Sequence, residues 1–168
     1  MRAALAAVAA ATLAGCGSGS NPALRPGDHV GSATLVVGTE ATGVTLFGRC
    51  NPVITKPGVY RRSCRLRKSA ALFVGYGASK AHFTTLDAEW TKTRWTAWLD
   101  GHRIALGRFG TTDIRAFVRG RDKPVIRREW RIVLIHAEGR HRLRYRFSGP
   151  LAGPGGGVVD ATFTFTLT

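Results

Sequence analysis

Ala161-Thr162-Phe163-Thr164-Phe165-Thr166-Leu167-Thr168 alternates apolar and hydroxyl side chains without a break. Successive side chains of an extended strand point to opposite faces, so Ala161, Phe163, Phe165 and Leu167 belong to a core and the four threonines to the other side. A strand with one buried face needs a second layer to cover it. Read outward from this segment, the chain is all-β: an antiparallel β-sandwich of immunoglobulin-like or jelly-roll type, with a small β-barrel as the alternative.

Just upstream, Ala137-Glu138-Gly139-Arg140 reads as a four-residue turn. A symmetric hairpin around it pairs His136 with His141, Leu134 with Leu143, Ile132 with Tyr145 and Trp130 with Phe147 on the core face. The opposite face then collects Arg131, Val133 and Ile135 from one strand and Arg142, Arg144 and Arg146 from its partner, an arginine stripe at strand spacing. A second hairpin is signalled by Asp100-Gly101, which supplies a tight turn between Trp95–Leu99 and Arg103–Leu106. Trp95 and Trp98, three apart, fall on opposite faces, so one belongs to the core and the other is the candidate exposed aromatic. Other expected strands are 33–37, 44–47, 59–66, 70–76, 128–136, 141–147 and 158–168, and 84–94 suits a short helix with Asp87 and Glu89 near its start.

The N-terminus carries an address. After Arg2, Ala3 to Leu13 form an apolar run of eleven residues, too short to span a bilayer core of about 30 Å. It ends in Leu13-Ala14-Gly15-Cys16, which resembles the lipobox of bacterial lipoproteins. That resemblance implies that residues 1–15 are a cleaved signal peptide and that Cys16 carries a diacylglyceryl group, with a further N-acyl chain such as palmitate. Residues 16–28 would form the lipidated cysteine and a Gly/Ser-rich tether, and 29–168 one domain. The expected location is extracytoplasmic, anchored to a bacterial membrane by chains that in pairs hold stably. Residue 17 is Gly, so the Asp that often marks inner-membrane retention is absent. The stretch Trp95 to Leu106 also looks like a motif common in exported bacterial β-domains, carbohydrate-binding ones among them, and this supports the fold alone.

With Cys16 given to lipid, Cys50 and Cys64 remain as a pair in a disulfide-permissive compartment. Their loop of about 15 residues corresponds to about 3 kcal/mol in chain-entropy terms. No Cys-x-x-Cys or zinc-type Cys/His spacing is present. His136 and His141 lack an identifiable third ligand, so no metal and no cofactor are assigned. Nor does the sequence contain a Gly-x-Ser-x-Gly elbow, a Ser-x-x-Lys or a His-Glu-x-x-His motif, and the reading is of a protein that is not an enzyme.

Charge is the remaining outlier. The chain holds 25 basic against 10 acidic residues, a formal +15 that drops by one when Arg2 is lost, and arginine outnumbers lysine 20 to 5. Residues 61 to 168 contribute 21 of the basic groups and eight of the acidic ones. Export argues against nucleic acid as the partner and for anionic wall polymers or phospholipid headgroups. The candidate binding residues are Arg131, Arg142, Arg144, Arg146, Arg61 and Arg62. The expected function is a non-enzymatic, lipid-anchored envelope protein that binds such anions. The alternative is a carrier of a lipid or small apolar ligand in a pocket. Inhibition of a host lysozyme is disfavoured by sign, because such enzymes are basic too.

Overall fold

From Val158 to Leu167 the odd-numbered residues are buried and the even-numbered ones are not, as the alternation requires. The computed structural model describes residues 22–39, 44–50, 54, 56–117, 123–153 and 155–168. Cys16 lies outside them. In chain order the strands are β1 (His29–Val30), β2 (Ala33–Val37), β3 (Val44–Thr45), β4 (Gly58–Leu66), β5 (Ala71–Phe73), β6 (Gly77–Lys80), β7 (Arg94–Leu99), β8 (His102–Arg103), β9 (Thr111–Ala116), β10 (Val125–Trp130), β11 (Ile132–Ile135), β12 (Gly139–Ser148) and β13 (Val158–Leu167). A short helix α1 (Leu46–Cys50) follows β3, and a longer one, α2 (Phe83–Lys92), follows β6.

These strands form three hydrogen-bonded sheets, ordered β4-β13-β12-β7-β8, β1-β2-β11-β5-β3 and β6-β10-β9. The second and third are two ends of one bent layer, because β10 runs into β11 through Arg131 alone and β5 leads into β6 across residues 74–76. The Val74 N–H donates to the Ile132 carbonyl at 2.9 Å and the Trp130 N–H to the Tyr76 carbonyl at 3.1 Å, which carries the pairing over the bend. Glycine is required there. A Cβ on Gly75 would meet the Trp130 carbonyl oxygen at 1.6 Å.

The first sheet packs its inner face on the second, making a β-sandwich. Leu99, Leu143, Tyr145, Phe163 and Phe165 from one side and Leu35, Leu72, Ile132 and Leu134 from the other share a single core. Phe47 of α1 stands edge-on to both Tyr76 and Phe163, with ring centroids 5.0 Å apart. Tyr145 is fully buried, and its hydroxyl donates to the Val74 carbonyl at 2.9 Å, so its one polar atom is satisfied between the sheets. Burial pushes its phenol well above the ordinary range. The disulfide joins Cys50 of α1 to Cys64 of β4, with Cα atoms 5.6 Å apart. Most strand pairs are antiparallel, but β4 runs parallel to β13 and β3 parallel to β5. Among the described residues no helix is long and apolar enough to cross a membrane.

The hairpin around residues 137–140 does not form. β11 pairs with β2 and β5, and β12 with β13 and β7, so the chain turns at His136 and Gly139, both at positive φ, to pass from one sheet to the other. His136 therefore does not face His141, and Arg131 does not join Arg142, Arg144 and Arg146. The inward set Leu134, Leu143, Tyr145 and Phe147 is nonetheless buried as expected, because alternation assigns faces without assigning partners. In β11 even alternation fails: Val133 is buried along with Ile132 and Leu134, as in an interior strand covered on both sides. Leu24, within the stretch read as tether, is buried in the core beside Ile104.

Candidate functional site

The alternation that fills the core also composes the outer face of the first sheet. Arg144 of β12 stands in register between Thr162 of β13 and Trp98 of β7, with Arg61 of β4 beyond the threonine and Arg103 of β8 beyond the tryptophan. In the next row Arg146 lies between Asp160 and Thr96, with Val59 past the aspartate. On the other side Arg142 is beside Thr164 and Ser63, and Arg140 beside Thr166 and Arg65. Ser148, flanked by Val158 and Arg94, closes the face.

Eight arginines thus share one sheet face: Arg61, Arg65, Arg94, Arg103, Arg140, Arg142, Arg144 and Arg146. All but Arg144 are exposed. Strand geometry spaces them about 7 Å apart along a strand and about 4.8 Å per strand across it. Along its strands the face carries one carboxylate, Asp160, and a ladder of threonine and serine hydroxyls, and at its rim Asp100 of the β7–β8 turn accepts from the Arg142 N–H at 2.6 Å and is held by His141.

The centre of this face is pinned. Arg144 grips Asp160 with two parallel hydrogen bonds, Nε to Oδ1 at 2.8 Å and Nη2 to Oδ2, while its guanidinium lies 5.1 Å from the Trp98 ring centroid. The hydrogen bond from Arg144 holds the Asp160 carboxyl below its ordinary value, helped by the charges of Arg144, Arg146 and Arg61. Arg144 is raised in turn. Among the described residues none of the other seven arginines has a carboxylate within ion-pairing distance. Such an array supplies multidentate donors to phosphate and carboxylate oxygens.

Of the residues singled out from sequence, Arg61, Arg142, Arg144 and Arg146 come together here. Arg62 is in register with Phe163 and so falls on the inner side of the edge strand β4. Arg131 sits at the bend of the other layer, its Nε donating to the Gly38 carbonyl at 2.7 Å. Sequence reasoning missed Arg65, Arg94, Arg103 and Arg140. Their parity within each strand was readable, but the strand order that sums them onto one face was not. Trp95 packs against the core, stacked on Phe147 at 4.5 Å, and Trp98 is the outward member of the pair.

A second basic cluster has a different character. Arg128 of β10 is nearly buried, with 11% of its side chain exposed, and is held by Asp113 at 2.7 and 2.8 Å and by Asp87 of α2 at 2.8 Å. Phe83 and Trp90 flank its guanidinium at 5.3 and 5.8 Å. Its hydrogen bonds to Asp113, ahead of those to Asp87, push it above the ordinary arginine range. Nearby, Arg127 pairs with Glu129 and Lys80 with Glu89. The helix expected at 84–94 is real, and Asp87 and Glu89 are spent on these ion pairs.

His141 is buried, with Nδ1 2.7 Å from Asp100 Oδ2 and Nε2 3.1 Å from the Glu138 carbonyl, and so braces the β7–β8 turn, while His136 is exposed. Among the described residues no three His, Cys, Asp or Glu side chains gather as metal ligands. A half-open cleft of about 890 Å³ lies on the flank, where Tyr76, Phe147 and Leu151 mix with Lys56, Lys80 and Glu89. A shallower groove of about 560 Å³ beside β8 is lined by Ala23, Trp95, Thr96, Arg103 and Arg108. Comparison with family models, curated proteins and solved structures returned no match.

Proposed function

We propose that this chain is a non-enzymatic, lipid-anchored envelope protein that associates with phosphate-bearing anions, on wall polymers or lipid headgroups, through the outer face of its β4-β13-β12-β7-β8 sheet. The observation that carries the reading is eight arginines on that face against one strand carboxylate, Asp160, paired with Arg144, and a rim carboxylate, Asp100, taken up by His141 and the Arg142 N–H. Selection for solubility alone gives no reason to gather cations on one side while four of the acids gather around β10 on the other layer. The carrier alternative draws on the flank cleft, but a half-open cleft carrying Lys56, Lys80 and Glu89 suits an apolar cargo poorly.

Replacing Arg61, Arg65, Arg142 and Arg146 by Gln tests the reading against inorganic polyphosphate. At about 1 kcal/mol per cation near an anionic surface, affinity should fall about a hundredfold or more. Wild-type binding should weaken as salt approaches ~0.5 M, where screening is strong. A charge-matched comparison sets Arg142 and Arg146 to Gln against Arg115 and Arg127 to Gln, which removes the same two charges from the β6-β10-β9 sheet and should cost little. Equal losses in the two variants would reduce the effect to net charge and end the proposal.

A further inference from the structure

The chain enters the domain at the margin of the arginine face. Leu24 bridges Ile104 in parallel, its N–H donating to the Arg103 carbonyl at 2.7 Å and its carbonyl accepting from the Ala105 N–H at 2.8 Å. It thereby extends the sheet one position beyond β8. Both Leu24 and Ile104 are buried, so this entry point is fixed by the core. Ala23, immediately before it, lines the groove with Thr96 and Arg103, two residues of the arginine face. From Cys16 to Pro22 the chain has six peptide steps, a fully extended reach of about 20 Å. A lipid on Cys16 therefore keeps this margin close to the headgroups whatever path the intervening residues take.

The opposite margin adds a second observation. The exposed large hydrophobic residues among those described are Val37, Val59, Phe83, Phe117 and Val158, and two of them, Val59 at 70% and Val158 at 41% exposure, stand on the arginine face at its β4–β13 corner. From β8 to β4 is four strand spacings, about 19 Å. A sheet lying flat on a bilayer puts both margins at one depth, with guanidinium groups among the phosphates and the valines covered by the headgroup layer instead of by water. A soluble polyanion offers those valines nothing.

We propose that the arginine face docks flat, in cis, on the anionic phospholipid headgroups of the membrane that holds Cys16, an inference that rests on the anion-binding reading of this face. The short connection makes the contact intramolecular, so individually weak guanidinium–phosphate contacts add at high effective concentration. The docked pose turns the other layer of the sandwich, with its neutralised Arg128 cluster, toward the aqueous side.

The test uses the mature chain, in which Cys16 is the one thiol outside the Cys50–Cys64 bond. Cys16 is coupled to a maleimide phospholipid in vesicles of phosphatidylcholine alone or with about 30 mol % phosphatidylglycerol. Phenylglyoxal modification is then followed at each arginine by peptide mass spectrometry. On the anionic vesicles Arg61, Arg142 and Arg146 should react at about one fifth of their rate on neutral vesicles or slower, recovering at ~0.5 M salt, while Arg127 keeps its rate. Equal rates on the two vesicles overturn the docking, as does slowing at Arg127 to the same degree. A parallel arm with untethered protein and inorganic polyphosphate separates the two levels of the argument. Protection by polyphosphate but not by anionic vesicles removes the cis docking and keeps the anion-binding face, and protection by neither removes both.

Discussion

Arg128 and Arg146 carry the same guanidinium, yet one is an internal strut and the other faces solvent. Around Arg128 the sheet β6-β10-β9 and helix α2 bring Asp87, Glu89, Asp113 and Glu129 into ion-pairing range of Lys80, Arg127 and Arg128. On the outer face of the β4-β13-β12-β7-β8 sheet, Asp160 is the one carboxylate among the described residues that ion-pairs with any of the eight arginines. Sequence density of arginine is therefore a poor guide to the field a protein presents. The stretch from Arg127 to Arg131 puts three arginines in five residues, yet Arg127 and Arg128 are ion-paired and Arg131 donates to the Gly38 carbonyl, whereas the exposed array is assembled from residues on four strands.

The contrast can be broken most violently from beneath. Leu143, Tyr145 and Phe147 are the buried alternates of Arg142, Arg144 and Arg146, and replacing all three by Ala removes about 2 to 5 kcal/mol each, enough to unfold a domain of ordinary stability. Circular dichroism should show a chain with no cooperative melt. A folded variant would mean that the two faces of β12 are reversed. Next in size, Cys50→Ala with Cys64→Ala should cost about 2 to 5 kcal/mol in chemical denaturation, because the bond ties α1 to the edge strand β4.

Smaller effects separate the two arginine clusters themselves. Arg128→Gln removes a nearly buried guanidinium from the partly exposed Asp113 and the exposed Asp87 and should destabilise by about 1 to 2 kcal/mol, with polyphosphate affinity unchanged in the folded fraction. The exposed set Arg61, Arg65, Arg142 and Arg146 to Gln should do the opposite, moving stability within about 0.5 kcal/mol per site while binding collapses. Asp160→Asn sharpens this further by freeing Arg144 and raising anion affinity. Since the folded Asp160 carboxyl titrates below its ordinary 3.8, its contribution is present above that value and lost as pH falls through the folded one. The stability gap between wild type and Asp160→Asn, within about 1 kcal/mol at neutral pH for a half-exposed pair on the sheet surface, should therefore close in acid.

Much of the fold was legible locally. Ala33–Val37 was placed to the residue, the Asp100-Gly101 turn joins β7 to β8 as expected, and the threonine ladder of β13 faces outward as its alternation demands. What failed was pairing. His136 and His141 flank a turn that joins two sheets, and nothing in the four residues between them distinguishes a hairpin from a crossing between layers. β6 and β9 were missed because Gly77-Ala78-Ser79-Lys80 has no large apolar or β-branched side chain to signal a strand and Thr111–Ala116 is mostly half-exposed. The candidate site shared this limit: Arg142, Arg144 and Arg146 could be read from one strand, but Arg61, Arg94 and Arg103 join them only through the order β4-β13-β12-β7-β8. Arg131 was included by a pairing that does not exist.

The claim that one face binds while the other cluster only supports is tested most directly by following individual guanidinium Nε–Hε signals by NMR as inorganic polyphosphate is added. The account predicts saturable shifts at Arg61, Arg142 and Arg146, reversed by salt, with the Arg128 and Arg131 signals stationary. Shifts spread evenly over both clusters, or confined to Arg127 and Arg128, would contradict it.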